Sequence, residues 1–203
     1  MRSNVTRWVT SAALAAACAA ASAHAQNGSL EITLKHGSKG EAQTRDQLQR
    51  LLKSYDVSRW IYTRSIIIDE QAIPYSHPVL TLSARHVQDD ELLLSTFVHE
   101  QFHWPLVQKG KETEEAIKEL HGLFPTVPTA GPEGANGERS TYLHLIVCYL
   151  EWRADQQLLG ELKARQVMDF WATDHYRWVY RTVLERPGEI ATIVTRHGLM
   201  QTF

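Results

Sequence analysis

The chain has 203 residues, a formal net charge of −2, and 43% hydrophobic against 22% charged residues. That is enough apolar material for one folded domain and too little length for two of ordinary size. The near-neutral balance excludes the basic surplus usual in a nucleic-acid-binding protein, and two cysteines cannot build a disulfide framework.

Arg2 and Arg7 precede or flank the start of an uncharged, alanine-rich run from Trp8 to Ala21. Ala23-His24-Ala25 then places small residues where a signal peptidase reads. Residues 1–25 are therefore expected to be a signal peptide cut after Ala25, leaving residues 26–203 as one secreted or periplasmic domain. Cys18 after Ala15-Ala16-Ala17 raises a lipoprotein alternative, but Leu14 sits one place too early for it. Loss of Arg2 and Arg7 takes the net charge to −4, with 19 basic residues against 23 acids. No second long apolar segment follows, so the mature chain is expected to be soluble, without stable membrane insertion. Its oligomeric state is not legible.

Glu41 to Tyr55 carries Leu48, Leu51, Leu52 and Tyr55 at helical spacing. Ser65-Ile66-Ile67-Ile68 is β-branched and closed by Asp69, which predicts a buried strand. Pro78 to Ser83 alternates after a proline and predicts a second strand, at a sheet edge. Asp89 and Asp90 then start a largely apolar helix through Leu92, Leu93, Leu94, Phe97, Val98 and Phe102. Pro105 disfavours helix at Trp104, so an end near His103 is expected. A short helix is predicted over Glu112 to Leu123, then a glycine- and proline-rich loop over Thr126 to Ser140. A loop of that length within a domain is often functional or mobile. A long helix from Thr141 to about Lys163 follows, then helices around Phe170 to Leu184 and Pro187 to Arg196. The class is α+β, dominated by helix in its second half.

The chemistry concentrates on two of these helices. His99 and His103 are four residues apart, so both imidazoles project from one side of a helix, as zinc ligands require. Glu100 stands one residue round from His99, placed to take a proton from water without ligating. A buried His-Glu-His group with no metal would leave polar atoms to be satisfied in some other way. A catalytic zinc site needs a third protein ligand. On the long helix His144, Cys148, Glu151 and Asp155 share one face amid Leu143, Leu145, Ile146, Val147 and Leu150, so that face offers the candidates.

His99-Glu100-x-x-His103, followed by Glu151-x-x-x-Asp155, resembles the gluzincin branch of the zincin metallopeptidases. The resemblance implies a single zincin-like domain and zinc-dependent hydrolysis of peptide bonds in a peptide or protein substrate. By position it gives His99, His103 and Glu151 to zinc, Glu100 to the general base, and Asp155 to a place behind a ligand histidine. The other zincin branch, with a glycine turn and a nearby third histidine, has no counterpart in Trp104-Pro105-Leu106, which favours Glu151. Family members often continue the motif helix, whereas Trp104-Pro105 is expected to end it here. His144 is the rival third ligand. If it does not bind metal, it is the first candidate to donate a hydrogen bond to the oxyanion, with Tyr142, His175 and Tyr176 as alternatives. An edge strand at Val79 to Ser83 is expected to align an extended peptide by main-chain pairing. The competing functions are hydrolysis of a non-peptide amide such as one in a cell wall, a non-catalytic zinc protein, and a metal-free binding module.

Overall fold

The computed structural model describes residues 30–200; the expected signal peptide and its cleavage point lie outside them. The elements run β1 (Glu31–Leu34), α1 (Lys39–Ser54), β2 (Ser65–Ile68), β3 (Leu80–Leu82), α2 (Asp90–Gln108), α3 (Gly110–Leu123), α4 (Glu138–Leu159), α5 (Glu161–Asp174), α6 (Arg177–Glu185) and α7 (Pro187–Arg196), with a 3-10 turn at Ser58–Trp60. A small parallel sheet, in the order β1-β2-β3, is thus followed by an array of helices. No helix among the described residues is long and apolar enough to cross a membrane.

The sheet forms where the sequence is β-branched. Ile66 and Ile68 of β2 and Leu80 and Leu82 of β3 turn their side chains into the core. β1 is absent from the sequence reading, because Glu31-Ile32-Thr33-Leu34 is short and only half-buried. α1 returns the chain from β1 to β2, and Ser38 caps it by accepting from the Glu41 amide at 3.2 Å. The connection from β2 to β3 doubles back over the sheet. Tyr75 pairs antiparallel with Thr81, N to O at 3.1 Å and O to N at 2.8 Å. The outward main-chain groups of Thr81 are therefore already bonded within the chain, so this strand does not offer an open edge to a peptide.

α2 is held at both ends and in the middle. Asp90 in its first turn accepts from Arg50 at 2.7 and 2.8 Å and from Gln47 at 2.9 Å. Gln101, fully buried, accepts from the Tyr62 and Thr63 amides at 2.8 and 2.9 Å and donates to the Thr63 carbonyl at 2.9 Å. The helix does not stop at His103 but runs through Pro105 to Gln108. Proline in a helix interior costs about 3 kcal/mol. Burial of Phe102 and Leu106, together with the bond from Thr113 Oγ1 to the Leu106 carbonyl at 2.8 Å, offsets it.

The second half is divided differently from the reading of the sequence. α4 ends at Leu159 because Gly160 takes a positive φ of 81°, and α5 begins at once. The stretch Phe170 to Leu184 is two helices, broken at His175 and Tyr176, where Tyr176 adopts φ 47°. α4 packs against α2, α5 and α6, so the faces bearing the candidate residues meet in the middle of the helical array. The loop between α3 and α4 is tied down. Thr141 Oγ1 donates to the Pro128 carbonyl at 2.8 Å, and the Arg177 amide donates to the Pro132 carbonyl at 2.8 Å. A side chain at Gly134 would strike the Pro128 carbonyl oxygen at 2.2 Å, so this loop needs glycine there.

Replacing Gln101 with Leu leaves the Tyr62 and Thr63 amides without partners. The expected loss is about 2 kcal/mol, measured by urea denaturation; an unchanged midpoint and slope would show that Gln101 does not anchor α2.

Candidate metal centre

His99 and His103 project from α2 and His144 from α4. Their ring centroids lie 5.3, 5.7 and 5.2 Å apart pairwise, and one nitrogen from each falls within 4.8 Å of the other two. The outer nitrogens fix the orientation of two of these rings. His144 Nδ1 donates to the Ser140 carbonyl at 2.7 Å, since a carbonyl can only accept, which leaves Nε2 unprotonated in the neutral ring. His99 Nδ1 donates to Glu151 Oε2 at 2.8 Å, again leaving Nε2 for a metal. Burial, reinforced by the neighbouring His99, drives His103 down to a pKa of about 2 and His144 to about 3, so both are neutral, as ligation demands. Burial also opposes charge on His99, but the Glu151 carboxylate overrides it and raises that pKa well above the usual value. Metal binding at His99 would therefore release a proton.

Glu151 is completely buried and fully engaged. Besides His99, Tyr180 Oη donates to its Oε2 at 3.0 Å and Ser95 Oγ lies 2.6 Å from its Oε1. It forms a close group with His99 and Cys148, whereas the three-histidine group is completed by His144. Burial raises the Cys148 thiol pKa, so this cysteine stays protonated beside them. Asp155 makes no hydrogen bond to a histidine among the described residues. Its Oδ2 sits 2.8 Å from Ser95 Oγ, and Trp171 Nε1 donates to that Ser95 hydroxyl oxygen at 3.2 Å.

Ser95 has one proton and two carboxyl oxygens within bonding distance, so one carboxyl must carry a second proton. Burial, with the charge of Glu151 added, raises the Asp155 pKa well above the usual carboxylate range and places that proton on Asp155. The order of donation is then Asp155 to Ser95, Ser95 to Glu151, and His99 to Glu151. Ser95 was missed in the sequence, although it precedes His99 by four residues and so lies on the same face as both motif histidines.

The histidines open into a cleft of about 480 Å³ between the strand half and the helical half. Glu100 lines it, buried, with a pKa pushed up to about 7 by loss of solvent. His175 and Tyr176, at the α5–α6 break, line it too. His175 Nδ1 bonds Asp174 Oδ2 at 2.8 Å, and the Tyr176 ring rests on His144 at 4.4 Å between centroids. Tyr142 lies elsewhere, its hydroxyl donating to the Phe124 carbonyl at 2.6 Å. No protein-family model, curated protein or solved structure matches the chain.

The proton placement is checked by infrared difference spectroscopy at pH 7. A protonated carboxyl band is expected in the unsubstituted protein and is lost in Asp155→Asn. No such loss would mean that Asp155 does not carry the proton.

Proposed function

We propose that this chain is a zincin-type metallohydrolase that cleaves peptide bonds, with zinc held by His99, His103 and His144. The observation that carries the reading is the convergence of three imidazoles with Glu100 at the floor of one cleft. Three nitrogen donors with a fourth position toward a cleft suit a catalytic zinc better than a structural one, which would normally have four protein ligands. His144 takes the third place in this reading because the Glu151 oxygens already serve His99, Tyr180 and Ser95. Glu151 then orients His99, and Asp155 acts one step further back through Ser95.

Zinc in such a site supplies Lewis acidity toward water and the substrate carbonyl. Glu100 takes the proton of the attacking water and delivers it to the leaving amine, work for which a pKa near 7 is well matched. Tyr176, whose hydroxyl has no hydrogen bond among the described residues, donates to the carbonyl oxygen as charge develops there. His175, oriented by Asp174, is the neighbouring donor. The peptide enters through the cleft and not along β3, where Thr81 is already paired with Tyr75. With the expected signal peptide removed, the enzyme acts in the periplasm or outside the cell.

Metal analysis and proteolysis of a casein-type substrate test this together. Glu100→Gln is expected to keep stoichiometric zinc and lose at least about 100-fold in kcat/KM. His144→Ala is expected to lose zinc, whereas Glu151→Gln keeps it with affinity weakened roughly 10- to 100-fold. Full activity in Glu100→Gln would sink the proposed base. Intact zinc in His144→Ala with loss in Glu151→Gln would return the third position to Glu151.

A further inference from the structure

The cleft is also lined by a histidine that the hydrolytic reading does not use. His86 is only 6% exposed, yet its ring makes no hydrogen bond among the described residues and lines the cleft. Its nitrogens are not among the unpartnered side-chain atoms sealed in the interior, so they face the cleft. A polar ring that has lost most of its water and gained no partner is costly, unless a ligand or water completes it.

The ring is held for such a purpose. Its carbonyl accepts from the Asp89 amide at 3.0 Å and from Gln47 Nε2 at 3.2 Å, which ties the backbone to α1 and to the start of α2. Trp171 and Phe170 meet the imidazole edge-to-face, at 5.2 and 6.1 Å between centroids, and fix its plane. The charged groups that act on it are Arg85, Asp174 and the exposed Asp89. Arg85 makes a two-pronged ion pair with Asp174, one contact being 2.9 Å, and Asp174 also takes the His175 Nδ1 hydrogen. Burial, with Arg85 nearby, keeps His86 uncharged, and burial does the same for His175.

We infer that His86 forms a specificity subsite that recognises an uncharged hydrogen-bonding side chain of the substrate, a carboxamide such as that of glutamine. A neutral imidazole donates from one nitrogen and accepts at the other, which matches the NH₂ and C=O of a carboxamide. An aliphatic side chain leaves both nitrogens unpaired. An ionised one must shed its water beside an Arg85 and an Asp174 that are already paired with each other, and so finds no free partner of opposite charge in that pair. The inference rests on the cleft being the substrate site of a hydrolase, but its recognition step needs neither metal nor turnover.

The test uses the full mature chain, stripped of metal, titrated calorimetrically with blocked peptides of one sequence that carry Gln, Leu or Glu at a single position. The Gln peptide is expected to bind about tenfold more tightly than the other two. His86→Phe, which keeps the ring's packing, is expected to remove that preference while leaving zinc content and thermal unfolding unchanged. Equal binding of the three peptides by the unsubstituted protein, binding of none of them, or an undiminished preference in His86→Phe overturns the inference. With zinc restored, a Gln preference without hydrolysis sinks the hydrolase reading alone. Hydrolysis without the preference sinks this one alone.

Discussion

The buried carboxylate of Glu151 is the constraint around which the helical half is arranged. A carboxylate with no solvent exposure is tolerable only if it is hydrogen-bonded, and these bonds draw in two other helices. His99 and Ser95 come from α2, Tyr180 from α6, and Glu151 itself from α4. Three helices are therefore locked in register by one functional group. The helix packing brings His144, two turns before Glu151, up to the motif histidines. The triad's geometry follows from satisfying that acid.

Asp155 shows why two acids four residues apart on a buried face do not repel each other apart. If both were ionised, Ser95 could not bond both with its one proton, and two like charges would share a dry interior. A proton on Asp155 turns the arrangement into a fully directed chain, with Trp171 completing the hydroxyl's second lone pair. Only one Asp155 oxygen, Oδ1, remains without a partner. A neutral acid tolerates that better than a charged one.

How much of this could be read from the sequence depends on whether the signal was local. The His99–His103 spacing and the polar face of α4 are periodic features, and both survive in the folded chain because helix geometry alone determines them. β2 and the start of α2 were legible from local signals too, a β-branched run and acids at a helix N-terminus. The end of α2 was not, since Pro105 opposes helix locally and is outweighed by the burial of Phe102 and Leu106, which is a tertiary effect. The break at Tyr176 has no local signal at all. Its left-handed backbone is held from outside, by bonds from the Arg177 and Trp178 amides to the Pro132 and Glu133 carbonyls. Tyr180 lies on α6 beyond that break, so periodicity within one segment could not have placed it at the site.

Trp171 joins the two regions that give the cleft its character. Its indole nitrogen is committed to Ser95 and thus to the acids behind the three histidines. Its ring edges meet both His86 and His175 at 5.2 Å between centroids, which sets the far wall of the cleft. The Arg85–Asp174 pair also spans from the strand half to the helical half, but Arg85 is half exposed, and ion pairs of that kind contribute about 0–1 kcal/mol. The distance between the motif histidines and His86 is therefore set mainly by the buried indole, not by the charged clasp outside it. A substrate spanning the two would be measured against a rigid aromatic spacer, anchored at one end in a hydrogen-bond network whose own geometry is dictated by Glu151.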